Sequence, residues 1–532
     1  MIATMAHLIL GGFFLLNLVV CVAYVSMRRA QRYWKRRGVK SVKGATCWGH
    51  FKAVVLARRP LRDVLRELYE RGRGERAIGF YVFAKPFLVL RDPELIKSVL
   101  VRDFKCFANR CIAPRREDYI GYVNIFALRS PAWKLLRQRL TPVFTASKLR
   151  HMFEGIVETA AELDAHLAKQ LVDKEDENDD DDDDDDGAGW TVVEVKELCE
   201  KFTTDVIGLT MFGMRLNALR DDESEFRREG KKHFQNSYAR HLSLVSLFFM
   251  PWLARLLRIS FFDADVPSFF KRVIPEAMAE RAKSGAKRND LLDAFIEIKN
   301  AYANDPDDEM RYYFQDDGLV ATSIVFFLGG FEPSASMMYF TLYELAKQPD
   351  LQSRLRREIL AALEEEPGRR ITYDMANGLP YLEQVCCEAL RKYPLLHFLD
   401  REAEEDYELD PKSGLTIERG TPVIIPMSAL HMDPEYYPDP DRFDPERFSS
   451  QNLRKIPACA YLPFGQGPRN CIGMRIGLMQ SKVGLMQILS KYEVSPCRET
   501  PVPLEFDSYT LFTKSKHNMK LNVRRVRADR RR

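Results

Sequence analysis

Phe464-Gly465-Gln466-Gly467-Pro468-Arg469-Asn470-Cys471-Ile472-Gly473 sets one cysteine on a glycine-rich loop with an arginine two residues before it. A lone loop cysteine is by default a small buried hydrophobe. Here Phe464, Gly467, Arg469, Cys471 and Gly473 stand together in a pattern suited to a thiolate ligand. Glycines let backbone N–H groups approach the sulfur and tune its basicity, and iron held by a cysteine sulfur receives electron density that favours O–O cleavage. A bound haem with Cys471 as its metal ligand is the first expectation for this loop, and Ile472-Gly473-Met474-Arg475 is expected to open a helix after it.

The surrounding chain is long enough for one large core. Its 532 residues carry ten cysteines without paired zinc-type spacing, including the adjacent Cys386-Cys387, which argues for a reducing compartment rather than a disulfide framework. Charge is uneven. The segment 173–186 holds twelve acids against Lys174, while 28–40 holds seven Lys or Arg and 524–532 holds six Arg with one Asp. Removing these blocks leaves a body close to neutral, so no nucleic-acid footprint is expected. Eight consecutive aspartates, Asp179–Asp186, repel one another and bury nothing, so a solvated, disordered acidic insert is expected at about 173–189. The carboxylates lack the spaced pattern of a calcium loop. The basic tail reads as a frayed end.

Leu8 to Met27 has no formal charge over twenty residues, enough for a helix to cross a hydrocarbon core of roughly 30 Å. Positive charge follows this run instead of preceding it, so residues 1–27 read as an uncleaved transmembrane anchor, with the basic linker 28–50 on the cytosolic side. Beyond it, helix-period and strand-period segments alternate without an obvious linker, giving one mixed domain over 51–523. Gly72-x-Gly74-x-x-Ala77 mimics a dinucleotide fingerprint but follows a helical pattern and precedes a strand, so it is a turn; no flavin or nicotinamide site of the chain's own is expected.

A second apolar helix is expected from about Asp316 to Lys347. Its centre reads Phe327-Leu328-Gly329-Gly330-Phe331-Glu332-Pro333-Ser334. Gly330 beside Gly329 lets a flat ligand lie against the backbone, and Pro333 supplies no N–H to the Gly329 carbonyl, so a local kink is expected.

The Cys471 loop resembles the haem-binding loop of cytochromes P450, and the Gly-Gly helix resembles that family's distal helix. The similarity extends from the anchor to about Val523. It is nearest the microsomal, insect xenobiotic-metabolising type, as in Trp133-Lys134-Leu135-Leu136-Arg137-Gln138-Arg139-Leu140-Thr141-Pro142-Val143-Phe144-Thr145 and Lys201-Phe202-Thr203-Thr204-Asp205-Val206-Ile207-Gly208. It implies a mainly α fold with small β-sheets behind the transmembrane helix, and haem b with Cys471 as axial ligand. Phe464, Gly467, Gly473 and Gly330 become cofactor contacts, with Trp133, Arg137, Arg110, Arg401 and Arg469 around the propionates. It implies a structural network of Glu388, Arg391 and Arg447, whose buried charges need all their partners.

The resemblance also implies a monooxygenase acting on lipophilic substrates, from plant toxins and insecticides to endogenous lipids. Electrons come from NADPH–cytochrome P450 reductase, with cytochrome b5 as an optional second donor, at the endoplasmic reticulum membrane with the catalytic domain cytosolic. Docking is expected at the basic face near Lys134 and Arg139. The loop Cys111–Pro131 covers the pocket, with Phe126 as a substrate contact. Leu242–Leu257 reads either as core or as a segment dipping into the bilayer, with Arg240 and Arg255 at headgroups and Phe248, Phe249 and Trp252 in the interface.

The chain departs from the family where proton delivery is concerned. The usual acid-threonine pair is Glu332-Pro333 here, followed by Ser334, which lies about 100° further around a helix. Glu332 and Ser334 are the catalytic candidates, and Ser334 serves only if the proline re-aims it. Two alternatives stay open: a haem-thiolate isomerase or dehydratase acting on hydroperoxides without external electrons, and a non-catalytic membrane haem or ligand carrier.

Overall fold

The computed structural model describes residues 2–177, 189–221, 224–234, 237–303, 310–410 and 414–526. It is mainly helical. Strands β1 (Ala77–Val82), β2 (Lys85–Leu90), β3 (Thr191–Glu194), β4 (Leu399–Glu402), β5 (Tyr407–Asp410), β6 (Leu415–Ile417), β7 (Pro422–Ile425), β8 (Tyr492–Pro496) and β9 (Lys520–Arg525) form three small sheets. Their orders are β1-β2-β7-β4, β3-β9-β8 and β5-β6. Only β2 and β7 run parallel among the described pairs, so short antiparallel ladders brace the ends of a helical body.

The central helix, Asp316–Ala346, organises the larger core. Asp316 and Asp317 in its first turn favour the positive end of the helix dipole. It is apolar enough to cross a membrane, yet it is buried inside the protein, so its hydrophobicity serves packing. It crosses the helix Val195–Phe212 and packs on the helix Met474–Lys491. The expected kink does not interrupt it: the helix is continuous through Pro333.

The anchor helix Ile2–Ala30 runs past the expected end at 27, with Arg28 and Arg29 in its last turn. Its apolar stretch from Leu10 is wholly unburied, as a lipid-facing helix requires. The linker after it is not a loose hinge. Trp34 is fully buried, donates from Nε1 to the Phe80 carbonyl at 3.3 Å, and lies over Gly79, where any Cβ would collide with the indole. Arg37 pairs with Glu418 and Arg28 donates to the Ala45 carbonyl, so much of the expected basic linker is seated on β1 and its neighbours.

Two terminal expectations change. The helix Ala146–Glu177 continues through 173–177, so the acidic insert starts on helical backbone; 178–188 lie outside the described residues. Arg524 and Arg525 belong to β9, and Arg524 pairs with Glu493 at 2.8 Å and stacks on Trp190 at 4.2 Å. Arg524 to Val526 thus leave the expected frayed tail, and its remainder, 527–532, lies outside the described residues.

Leu242–Leu257 also resolves differently from either simple expectation. It divides between helices Tyr238–Phe249 and Pro251–Leu256. Arg240 is buried and donates to the Phe261 carbonyl at 3.0 Å, and Phe249 is buried among Phe51, Phe87 and Phe398, so neither reaches lipid. Trp252, Leu256 and Leu257 are the exposed apolar residues.

Candidate active site

The Cys471 loop is built by backbone geometry. Cys471 N–H donates to the Phe464 carbonyl at 2.8 Å, and Asn470 N–H donates to that of Gly467 at 3.0 Å. Gly467 has φ +75°, and a Cβ there would overlap the Leu100 carbonyl, so both its dihedral and its surroundings demand glycine. Gly473 lends its N–H to the Cys471 sulfur, which with the charges of Arg137 and Arg110 opposes the rise in thiol pKa caused by lost hydration. As a residue, Cys471 is accessible nonetheless. A thiol both desolvated and accessible faces a cleft inside the protein, which is where a ligated cofactor belongs.

Arg137 and Trp133 share one face of the helix Ala132–Leu140. Arg137 donates from both terminal nitrogens to Asn470, at 2.9 Å each, so it braces the loop beside the cysteine. Trp133 lies under the Arg469 guanidinium at 4.0 Å. Arg469 is buried and donates to the Ala108 and Leu128 carbonyls. Arg110 donates to Asp400 at 3.1 Å and stacks on Phe126 at 4.2 Å. Arg401 is fully enclosed and folds back on the Asp400 carbonyl at 2.7 Å.

Arg110, Arg401 and Arg469 feel one another's charge. Burial first, then the neighbouring guanidiniums, pushes Arg401 down to about 9 and Arg469 down to about 8. Arg110 Nε and Arg401 Nε are buried with no hydrogen-bond partner. Three guanidiniums against the single carboxylate of Asp400 make a pocket short of about two negative charges, and a dianionic group with oxygen acceptors relieves both the repulsion and the orphaned donors. The two propionates of haem fit. In this pocket Arg401 is fully buried and Arg110 partly so. Sequence reasoning missed Asp400 and Asn470; adjacency to Arg401 and Cys471 was the available signal.

The central helix presents an accessible stripe of Val325, Gly329 and Pro333, spaced i, i+4, i+8, with Gly330 partly accessible beside it. Gly329 has open space where a side chain would stand. Gly330 does not: a Cβ there would strike Ile207, and its carbonyl accepts from Gln480 Nε2 at 2.8 Å, so Gly330 is a helix-packing glycine and Gly329 the one with room for a flat ligand. Ser334 is also corrected. Its hydroxyl accepts from Gln480 Nε2 at 2.5 Å and its carbonyl accepts from Ser481 at 3.2 Å, so the side chain is turned into the helix Met474–Lys491. The proline has not re-aimed it. Glu332 is buried against the helix Val195–Phe212, where burial and the neighbouring Glu200 push its carboxyl up to about 7, against the pull of Lys196 and Lys514.

Glu388 and Arg391, on the helix Pro380–Lys392, form a fully buried bidentate pair at 2.7 and 2.8 Å. Arg391 also holds the His431 and Pro440 carbonyls at 2.9 Å, and Arg447 Nε stands 3.5 Å from Glu388. All three network residues come together. Removing one partner leaves an uncompensated charge at a cost of about 3–5 kcal/mol.

A helical body with an accessible cysteine beside an anion-seeking arginine pocket has the parts of a haem-thiolate oxidoreductase. The cytochrome P450 family model matches residues 41–523, and the chain belongs to that family. Cytochrome P450 6k1 of Blattella germanica is 38% identical over 507 residues, covering 93% of each chain. Probable cytochrome P450 6g2 of Drosophila melanogaster is 38% identical over 513 residues, 95% of this chain and 96% of the relative. Cytochrome P450 6a2 of the same fly is 37% identical over 497 residues, 93% and 95%. The protein is an insect-type P450 monooxygenase, and this kinship favours oxygen insertion over the hydroperoxide and carrier alternatives.

Proposed function

We propose that Cys471 is the axial ligand of a haem b, that Arg110, Arg401 and Arg469 receive its propionates with Trp133 and Arg137 in support, and that the substrates are lipophilic xenobiotics. The charge deficit of the arginine pocket carries this reading. When bound, the haem supplies the oxygen chemistry. The chain's own residues seat it, with Phe464 and Gly467 shaping the ligand loop, Gly473 donating to the sulfur and Gly329 leaving room on the other helix. Phe126, beneath Arg110 and in aromatic contact with Phe248 and Phe261, lines the substrate side.

Electrons come from NADPH–cytochrome P450 reductase, and secondarily cytochrome b5, at the exposed Lys134 and Arg139. The anchor holds the protein in the endoplasmic reticulum membrane with the catalytic domain cytosolic, and exposed Trp252, Leu256 and Leu257 touch the same bilayer, so substrates enter from lipid. The test is an untargeted comparison of lipophilic compounds consumed, with NADPH, by membranes carrying the protein plus reductase, against membranes carrying Cys471→Ser. Equal consumption by both overturns the reading.

A further inference from the structure

Charged side chains sew the loop Cys111–Pro131 to the segment that follows the exposed apolar patch. Asp118 stands at the start of the short helix Tyr119–Val123, where one carboxylate oxygen accepts the Gly121 N–H at 3.3 Å. Its other oxygen accepts the Phe261 N–H at 2.7 Å, from a residue 143 positions further along the chain. The carbonyl of the same Phe261 accepts from Arg240, on the helix Tyr238–Phe249, at 3.0 Å. Both backbone polar groups of Phe261 are therefore held by charged side chains, one from the covering loop and one from that helix. Arg115 adds a second tie from the loop, donating to the Arg258 carbonyl at 3.2 Å.

Gly121 permits this closure, because any Cβ there would strike both the Asp118 carboxyl and the Phe261 side chain. The short helix also packs on the central helix, and Tyr119 donates to the Tyr312 carbonyl, so the loop is held at a fixed height. Phe261 is buried, and its ring stacks at 6.4 Å on that of Phe126, which in turn lies under Arg110 at 4.2 Å. In sequence, Arg240 and Phe261 bracket the stretch that carries exposed Trp252, Leu256 and Leu257. The clamp thus joins the lipid-facing stretch to the aromatic ring on the substrate side. Hydrogen bonds to a charged acceptor are the stronger kind, and a backbone N–H shut away from water is costly to leave unpaired, so Phe261 and the loop move together or not at all.

We infer that Asp118 is a specificity-determining positioning residue: it latches the covering loop to the Phe261 peptide, sets the spacing of the Phe126–Phe261 ring pair, and so decides how large a molecule passes between the loop and 258–262. Small ligands reach the pocket with the latch shut. Bulky ones wait for Asp118 to release the Phe261 N–H, after which water takes both freed groups. This deepens the lipophilic-substrate reading of the same pocket and rests on it.

The test uses the full-length, haem-loaded protein in bilayer nanodiscs and two iron-binding probes of different size, imidazole and the trityl-substituted clotrimazole, followed by the Soret shift in stopped flow. Asp118→Ala should speed clotrimazole binding about ten-fold, the equivalent of one lost hydrogen bond to a charged acceptor, and leave imidazole within about two-fold. Asp118→Asn, which keeps one acceptor oxygen, should fall between the parent and Asp118→Ala. Gly121→Ala wedges the latch with its carboxylate intact and should also favour the bulky probe. Amide hydrogen exchange over 258–263 should quicken in Asp118→Ala and Gly121→Ala while that of the helix Pro380–Lys392 does not, which separates release of the latch from general loosening. If Asp118→Ala does not fold, Arg115→Gln removes the outer tie and should speed clotrimazole about three-fold. A clotrimazole rate unchanged in the folded latch variant, or an equal gain for imidazole, overturns the inference. The ferrous–carbonyl spectrum is recorded on every sample: its loss together with imidazole binding in the parent protein indicts the haem-thiolate reading, whereas its presence with unchanged size selectivity indicts the latch alone.

Discussion

Arg137 grips Asn470 with both terminal guanidinium nitrogens, one on the carbonyl and one on the side-chain oxygen, at 2.9 Å each. The residue held is the one immediately before Cys471. A planar fork on a neighbouring helix therefore fixes the start of the ligand loop, and the same positive charge favours the thiolate.

Arg137→Lys keeps the charge but loses the fork. Haem retention after dilution should fall several-fold, with a larger loss in Arg137→Ala, and the fraction showing the thiolate-type ferrous–carbonyl spectrum should fall in parallel. Two fork hydrogen bonds to a partly buried partner are together worth about 2–3 kcal/mol.

Pro333 stands on the accessible stripe with Gly329, while Ser334 and Glu332 point elsewhere. Pro333→Thr should put a hydroxyl on that face and return an N–H to the Gly329 carbonyl. Peroxide released per NADPH is expected to drop by about two-fold or more, in the range of one positioned acid–base group; Ser334→Ala should leave that ratio unchanged and act on stability instead.

Trp34 ties the end of the anchor to β1. Trp34→Ala removes a fully buried indole and should cost the domain about 3–5 kcal/mol if the cavity stays open. Urea unfolding of detergent-solubilised protein measures the loss, and limited proteolysis should find new cleavage within 28–50.

His397 and His431 are fully enclosed and stay neutral, with burial pushing each down to about 3. His431 Nε2 accepts from Leu462 N–H at 2.8 Å, which requires the unprotonated nitrogen. The unfolded chain takes up protons at these positions from about pH 6.5 downward while the folded chain does not. Stability is therefore complete above that pH and lost as pH falls toward 3, at about 1.4 kcal/mol per pH unit for each histidine. His431→Gln should weaken the acid dependence of the urea midpoint by one proton's worth, measured between pH 6 and pH 4.5.

The sequence alone fixed what local chemistry can fix. A glycine-spaced cysteine loop, a charge-free twenty-residue stretch, and an i, i+3 Glu388–Arg391 pair each follow from side-chain type and short-range spacing, so the ligand, the anchor and the network were legible. Which way a side chain turns was not. Gly329 and Gly330 are neighbours in a repeat of like residues, and only packing against Ile207 decides which has room above it. Ser334 was free to face either way until Gln480 claimed its hydroxyl from a helix 146 residues further on. Asp400 gains meaning only when the fold gathers three arginines around it. Such long-range juxtapositions come from burial and crossing geometry, which single-segment periodicity does not encode.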